Sequence, residues 1–184
     1  MRIRPVRDDD TAEWLRMSQA LDPSCPREEH EADLRLIRAR SDAEVFVIER
    51  PDGGLAGYVE VASRSYADGC ATSPVGYVEA WYVDPDIRRV GFGRALLTAA
   101  EDWARHQGFA EIASDALLEN DVSLHAHLRS GYRVVDRVVQ FRKPLDDAID
   151  QPRWMSTAAV RSSRVSDVGA RSDSDQAMRA DSSA

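Results

Sequence analysis

The sequence predicts a mixed α/β fold in one domain. Segments with the apolar spacing of helices and short runs rich in β-branched and aromatic residues follow in the order β-α-α-β-β-β-α-β-α-β-β. Only two of these helices connect strands that can run parallel, which is too few for a doubly wound sheet. A length of 184 residues is enough for one domain with a core, but not for two of comfortable size.

Two amphipathic helices are predicted near the N-terminus. A short strand at residues 3–6 is followed by the acidic run 8–10, which can cap a helix with Trp14 on its apolar face. Two prolines, in the stretch D-P-S-C-P, then break the chain. A second helix follows, with Leu34 and Ile37 facing inward and charged residues elsewhere.

The middle of the chain is predicted to hold most of the sheet. Strands at residues 45–48 and 55–63 flank a P-D-G-G turn signal, which is typical of a hairpin. A polar loop over residues 64–74 separates this hairpin from a strand at residues 75–83. A long helix then runs from about residue 93 to residue 107, and the glycine after it ends the helix.

The C-terminal part of the domain is predicted to complete the sheet. A strand at residues 112–115 is followed by a helix at residues 120–130. Two further strands are predicted at residues 132–136 and 138–141, which are rich in Val and aromatic residues.

Residues 145–184 are expected to form a disordered tail, so the folded domain is placed at residues 1–144. The tail is dominated by Ser, Asp, Ala and Arg and cannot bury enough apolar surface to offset its ordering entropy. Its seven Asp and five Arg account for −2, so −6 of the net charge of −8 belongs to the domain. An acidic domain disfavours nucleic acid and favours cationic ligands.

The cysteines and the apolar runs predict the cellular compartment of the protein. Cys25 and Cys70 have no metal-ligand spacing, so we expect two reduced thiols and no metal site. The N-terminus lacks the apolar core of a leader peptide, and no later apolar run reaches the length of a membrane span. We therefore expect a cytoplasmic protein with no membrane partner.

The turn between the strand at residues 75–83 and the helix at residues 93–107 is the most informative stretch. It reads R-R-V-G-F-G-R over residues 88–94, and its glycines permit close approach of a ligand to the backbone. The first N–H groups of the following helix suit a pyrophosphate. A P-loop would require Gly-Lys-Ser/Thr, and a dinucleotide fingerprint would require a glycine where Leu96 stands. A glycine-rich turn without a ligand is the remaining alternative.

The pattern R-x-x-G-x-G over residues 88–93 resembles the coenzyme A pyrophosphate loop of the GNAT acetyltransferases. A second signature of that family matches Asn120 and the Gly-Tyr pair at residues 131–132. The resemblance covers about residues 1–144 and implies a mixed, mostly antiparallel, splayed sheet flanked by helices, with acetyl-CoA as co-substrate. The residues that it implies for coenzyme binding are Trp81, Tyr82, Val83, Arg88, Arg89, Val90, Gly91, Phe92, Gly93, Arg94 and Asn120.

A narrower resemblance, to the aminoglycoside 6'-N-acetyltransferases, runs through segments outside this loop. The matching stretches are Y-A-D-G-C at residues 66–70, S-P at 73–74, Y-V-E at 77–79, A-S-D at 113–115 and E-N at 119–120. In that subfamily, acidic residues at the positions of Glu79, Asp115 and Asp136 face the aminoglycoside, with Tyr66 beside them. The resemblance also implies a homodimer and acetylation of the 6'-amine.

The chemistry of amine acetylation explains these residue types. An ammonium group must lose its proton before it attacks a thioester, so Glu79 and Asp115 are candidates to bind it and help deliver the neutral amine. His127 stands where the family usually has a Tyr and is the candidate to protonate the departing thiolate. Ordinary alternatives remain open, namely an edge charge for Glu79, a helix cap for Asp115 and a packed side chain for His127.

The substrate site departs from the subfamily at two positions. Asp22 and Cys25 stand where the resemblance implies a Trp and a His against the drug. Because charge replaces an aromatic wall there, we expect looser binding of the sugar rings.

Three interpretations of function remain open. The first is an aminoglycoside 6'-N-acetyltransferase, and the second is a GNAT enzyme acting on another polyamine, amino sugar or peptide amine. The third is a non-catalytic protein that binds acetyl-CoA or a drug.

Overall fold

The computed structural model of the protein describes residues 1–141 and 143–145. Its strands are β1 (Arg2–Pro5), β2 (Ala43–Glu49), β3 (Leu55–Arg64), β4 (Val75–Val83) and β5 (Ile112–Ser114). Its helices are α1 (Thr11–Leu21), α2 (Arg27–Ala39), α3 (Phe92–His106) and α4 (Asp121–Arg129), with short 3-10 helices at Asp8–Asp10 and Pro85–Ile87. These elements confirm the predicted order from the first strand to the helix after β5.

The strands form one sheet in which neighbours in sequence are also neighbours in space, in the order β1-β2-β3-β4-β5. The strands β1 to β4 pair antiparallel, whereas β4 and β5 pair parallel. A parallel pair requires a crossover connection, and α3 supplies it. The sheet is therefore mixed and mostly antiparallel, as the resemblance implied.

The strands β4 and β5 separate soon after they meet. Their ladder runs from the pair Gly76–Ile112 to the pair Val78–Ser114, whereas β4 continues to Val83. On its other side, β4 remains paired with β3 along this whole length. The C-terminal half of β4 therefore has no β5 residue beside it, which is the expected splayed geometry.

A β-bulge lies in β4 where the two strands part. The pairing with β3 passes from Val61–Val78 to Glu60–Ala80, so that Glu79 is the extra residue. Bulges change the direction in which side chains point. At this bulge Glu79 pairs with Arg64, the last residue of β3.

Helices cover both faces of the sheet. One face packs on α1 and α2, with Trp14 and Leu34 in its core, and the other packs on α3 through Leu96 and Leu97. Because both faces are covered, nearly all of β3 and β4 is buried. The indole Nε1 of Trp14 also donates a hydrogen bond of 3.0 Å to Glu60, which ties α1 to the centre of the sheet.

The two strands predicted at residues 132–136 and 138–141 are wrong. These residues form no strand, and Val135, Val139 and Phe141 are 63%, 71% and 93% exposed. Val and aromatic residues favour an extended chain, but a strand also needs a neighbour to pair with. Within residues 1–141, the outer edge of β5 has no strand beside it.

The domain boundary at residue 144 stays a prediction. The tail predicted to be disordered begins at residue 145, and residues 146–184 lie outside the described part of the chain. Within the described part, no helix combines the length and the apolar character that crossing a bilayer requires.

Gly57 provides a test of how closely the sheet is packed. A Cβ at this position would lie 2.7 Å from the backbone oxygen of Tyr82 and 2.8 Å from Cδ1 of Ile48. We expect Gly57→Ala to lower the free energy of unfolding by about 1–3 kcal/mol, measured by urea denaturation, because the Tyr82 carbonyl belongs to the sheet. Gly76→Ala is the control, since its nearest contact is the Ala104 side chain at 3.0 Å, and its loss should be smaller. Equal losses would contradict this account.

Candidate active site

The loop between β4 and α3 forms a concave backbone surface at the N-terminus of the helix. Arg89 and Gly91 both have left-handed conformations, with φ of 64° and 98°. Successive N–H groups in such turns create an anion-binding nest. Gly91 is also the N-cap of the 15-residue α3, at the positive end of its dipole. A Cβ at Gly91 would meet no atom within 4 Å, so the loop faces open space and its residues fit a pyrophosphate.

The two glycines of this loop have different roles. A Cβ at Gly93 would lie 2.9 Å from Cζ2 of Trp81, so Gly93 is needed for α3 to pack on β4 rather than for approach of a ligand. The Trp81 side chain is buried on the α3 face and that of Tyr82 on the α1 face. These two residues can therefore offer an extended ligand only their backbone groups along the edge of β4.

A buried carboxylate anchors the start of the loop. Asp84 accepts hydrogen bonds from Arg16 of α1 and from Arg50, which follows β2. Burial acts to raise the pKa of the Asp84 carboxyl. The hydrogen bonds from the two arginines outweigh burial, so this pKa lies below its ordinary value. The Asp84 N–H also donates to the Ala56 carbonyl at 2.7 Å. The loop is thus held to three different elements before it reaches the helix.

The three arginines of the loop are placed differently. Arg88 donates through Nε to the Val83 carbonyl at 2.8 Å, and Arg94 donates to the Arg129 carbonyl of α4. Arg89 is exposed beside the nest. Arg88 and Arg94 therefore help to hold the loop, and Arg89 is the arginine best placed to meet a phosphate from solvent.

A cluster of four polar side chains lies where β4 and β5 part. Arg64, the last residue of β3, pairs with both oxygens of Glu79, at 3.0 Å from Nε and 2.5 Å from Nη2. Its guanidinium lies 3.4 Å from the centre of the Tyr77 ring. The Tyr77 hydroxyl in turn donates to Asp115, immediately after β5, at 2.6 Å. The structure therefore brings together Glu79 and Asp115, which the sequence predicted, through Arg64 and Tyr77, which it did not assign.

Burial and charge act against each other at Glu79. The residue is 3% exposed, and this burial raises the pKa of its carboxyl above the ordinary value. The Arg64 guanidinium opposes the rise, and the charge of Asp115 adds to it. A carboxylate whose pKa is raised towards neutrality is a better proton acceptor than an ordinary surface carboxylate.

His127 lies on α4, buried between two aromatic rings. The rings of Trp81 and Tyr132 contact it edge-on, with centroids at 5.3 Å and 5.2 Å. Its Nδ1 lies 2.8 Å from the Ser123 carbonyl oxygen, so this nitrogen carries the proton. Its Nε2 then accepts from the Ser114 hydroxyl at 3.1 Å. Burial lowers the pKa of His127, which keeps the imidazole neutral at pH 7.

A second group of predicted substrate residues lies on the loop at residues 65–74. Tyr66 is 66% exposed, and its hydroxyl donates to Asp68 at 2.5 Å. The hydrogen bond to Asp68 raises the pKa of Tyr66, and the charge of Asp136 adds to the rise. A Cβ at Gly69 would lie 2.5 Å from Val135, so the loop packs directly on the segment that carries Asp136.

The remaining predicted residues make local contacts. Asp22 accepts from the backbone N–H and the hydroxyl of Ser24, and Cys25 is buried 3.7 Å from a carboxylate oxygen of Glu29. These contacts do not connect Asp22 or Cys25 with the Glu79 cluster. Asn120, predicted to bind coenzyme, caps α4 by accepting from the Ser123 N–H at 2.9 Å.

Comparison with known proteins agrees with this geometry. The sequence matches the acetyltransferase (GNAT) family over residues 12–132. The aminoglycoside N(6')-acetyltransferase type 1 of Klebsiella aerogenes is 41% identical over 146 residues, which are 78% of this chain and 96% of that protein.

Solved structures give the same result. The apo aminoglycoside antibiotic 6'-N-acetyltransferase of Acinetobacter haemolyticus has a TM-score of 0.74 and 32% identity, covering 79% of this chain and 100% of that one. AAC(6')-Iy, in complex with the bisubstrate analogue CoA-S-monomethyl-acetylneamine, has a TM-score of 0.73 and 30% identity, covering 78% and 97%.

The chain belongs to the acetyltransferase (GNAT) family. The relatives described above are named aminoglycoside 6'-N-acetyltransferases. The chain covers nearly their whole length.

Some site residues had no signal in the sequence. Arg64 stands at the start of a polar loop and carries no motif, so only its contact with Glu79 reveals it. Ser114 and Tyr77 lie inside matched stretches, but their partners become visible only when β5 and α4 are placed beside β4. Glu111, just before β5, was likewise missed.

Glu111 fixes the loop at residues 65–74 to the start of β5. One of its oxygens accepts from Ala71 N–H at 2.8 Å, from Thr72 N–H at 2.7 Å and from the Thr72 hydroxyl at 2.6 Å. These bonds, led by that of the Thr72 side chain, lower the pKa of Glu111. The stabilisation of the loop by these hydrogen bonds is thus present at neutral pH. It is lost as the pH falls through the lowered pKa of Glu111.

We expect Glu111→Gln to speed hydrogen exchange at the amides of Ala71 and Thr72 by about tenfold or more at pH 7, since an amide accepts these bonds less strongly than a carboxylate. Exchange in β3 should not change. Glu101→Gln, on the surface of α3, is the control. Unchanged protection at both amides would show that Glu111 does not hold the loop.

Proposed function

We propose that this chain is an acetyl-CoA-dependent N-acetyltransferase that acetylates the 6'-amine of aminoglycosides. The observation that carries the proposal is the juxtaposition of two features along β4. An anion-binding helix N-terminus lies at one end of its free edge, and the Glu79–Asp115 carboxylate cluster lies at the other. The names of the relatives described above support the choice of acceptor.

The residues of the loop and of β4 are assigned to the co-substrate. The nest at Arg89 and Gly91, with the α3 N-terminus, binds the pyrophosphate, while the backbone of Trp81 to Val83 pairs with the extended arm. Acetyl-CoA supplies the activated acetyl group as a thioester. The free edge of β4 beyond Val78 can direct a backbone N–H towards the thioester oxygen.

The acceptor residues are assigned to two zones. Glu79 and Asp115 bind the reacting ammonium and take up its proton, directly or through water. Tyr66, whose hydroxyl donates to Asp68, and Asp136, whose charge acts on Tyr66, meet the distal ammonium groups of a polycation. Asp22 adds charge where an aromatic side chain would bury sugar faces, so the rings are held less tightly.

We assign His127 an indirect role at the departing thiolate. Its Nδ1 proton is engaged by the Ser123 carbonyl and its Nε2 accepts from Ser114, so the neutral ring has no proton to give at the sulfur. Ser114 stands at the last pair of the β4–β5 ladder. His127 therefore orients the Ser114 hydroxyl at the point where the strands part.

The proposal includes a homodimer that acts in the cytoplasm, where acetyl-CoA is available. The exposed apolar side chains of residues 134–141 support a second copy as partner, because an extended segment with exposed apolar residues can pair with a neighbouring sheet edge. The exposed members of the segment are Val134, Val135, Val138, Val139 and Phe141.

A second candidate is acetylation of a different polyamine or amino sugar. The observation that favours it is the composition of the loop before α2, where Asp22 is engaged by Ser24 and Cys25 is buried. A panel of amines, compared by kcat/KM, separates the two candidates.

The proposed function is tested by thiol release from acetyl-CoA in the presence of kanamycin. We expect turnover with kanamycin and none at the 6' position of an aminoglycoside that has a hydroxyl there. Asp115→Asn should reduce kcat/KM for kanamycin by about a hundredfold, because a carboxylate that binds the reacting ammonium is lost. The KM for acetyl-CoA should remain near wild type.

The control for this variant is Asp102→Asn on the surface of α3, which should leave all constants unchanged. Absence of turnover with every aminoglycoside would refute the proposed acceptor. Full activity of Asp115→Asn would instead refute only the role of that carboxylate.

Gly91→Val tests the coenzyme loop. A β-branched residue is strained at φ of 98° and places methyl groups over the nest, so the KM for acetyl-CoA should rise about tenfold or more. Gly108→Val is the matched control, because Gly108 also has a positive φ of 83° and no atom within 4 Å of its Cβ position, but ends α3. It should lose stability without any change in KM. A normal KM in Gly91→Val would place the pyrophosphate elsewhere.

A further inference from the structure

Arg64 is the one cation that contacts Glu79 directly among the described residues. It is half-buried at the end of β3, opposite Val75 at the start of β4. Its planar guanidinium binds both carboxylate oxygens of Glu79, at 3.0 Å and 2.5 Å. A bidentate pair of this kind fixes orientation as well as distance.

The burial of Glu79 makes this ion pair important for the charge of the carboxylate. A buried carboxylate is costly unless a counter-ion and hydrogen bonds satisfy it, and Glu79 is 3% exposed. The other charged groups that act on it are Arg40, which follows α2, and Asp115, which follows β5. Arg40 donates to Asp42 and to the Ser63 carbonyl, so it reaches Glu79 only through space.

The same guanidinium also contacts the residue that holds Asp115. It lies 3.4 Å from the centre of the Tyr77 ring, in the geometry of a cation–π contact. The Tyr77 hydroxyl donates to Asp115 at 2.6 Å. One side chain thus touches Glu79 directly and acts on Asp115 through Tyr77.

We propose that Arg64 is a positioning residue of the acceptor site, which keeps Glu79 ionised in spite of its burial and holds the Tyr77–Asp115 pair in place. With Arg64 present, the cluster of Arg64, Glu79 and Asp115 carries one net negative charge. Glu79 is then deprotonated when the amine binds and can take up the proton that the ammonium releases. This inference rests on the proposed function, because it assigns the acceptor amine to these carboxylates.

The direct test is the ionisation of Glu79 in the free protein. The Glu79 carboxyl is followed by carbon-13 NMR and assigned by the signal that Glu79→Gln removes. We expect Arg64→Gln to raise the midpoint of its titration by about one pH unit or more, since the loss of an adjacent cation leaves burial uncompensated. Arg64→Lys retains a positive charge and should stay close to wild type, and Arg105→Gln on the surface of α3 should not move it. An unchanged midpoint in Arg64→Gln would overturn the proposal.

The second test is the pH dependence of acetylation. In Arg64→Gln, the acidic limb of kcat/KM for kanamycin should shift to higher pH, and activity should recover above the new midpoint. The double variant Glu79→Gln, Arg64→Gln should show no further shift relative to Glu79→Gln alone. A loss that is equal at every pH would mean that Arg64 is merely structural and would overturn the proposal. If wild type acetylates no amine, the proposed function fails, while the NMR titration still decides whether Arg64 controls Glu79.

Discussion

The whole site depends on the early separation of β5 from β4. A parallel ladder that ends at the pair Val78–Ser114 leaves the rest of β4 paired on one side only. Backbone donors and acceptors along such an edge are available to an extended ligand, which makes a strand edge a binding surface. The bulge at Glu79 occurs at the same point, so the edge becomes available where the carboxylates gather. The end of the β4–β5 ladder and the bulge therefore place a free strand edge beside the carboxylates.

The two ends of this edge differ in electrostatic character. At one end, the α3 N-terminus and the exposed Arg89 present positive charge, and the loop is held there by the Asp84 network. At the other end, Glu79 and Asp115 present negative charge, reduced by Arg64. A ligand with anionic phosphates and a ligand with ammonium groups are thus attracted to opposite ends and meet between them.

The features that could be predicted from the sequence are those encoded locally. The helix periodicity, the P-D-G-G turn and the R-x-x-G-x-G loop each depend on a few neighbouring residues, and the structure has them as expected. The strands predicted at residues 132–141 depended on a neighbouring strand that a local pattern does not supply. Arg64 is 15 residues from Glu79, and His127 is 13 residues from Ser114. Such pairs arise from the register of strands and the packing of helices, which a single sequence does not reveal.

The contact between Gly93 and Trp81 gives the second glycine of the loop a different meaning. A Cβ at Gly91 would meet no atom within 4 Å, whereas the room at Gly93 is limited by the Trp81 side chain that β4 presents to α3. A chain with a small residue in place of Trp81 would have room for alanine at position 93 without a shift of the helix. Variation at position 93 would then reflect the size of the side chain at position 81, not a change in coenzyme.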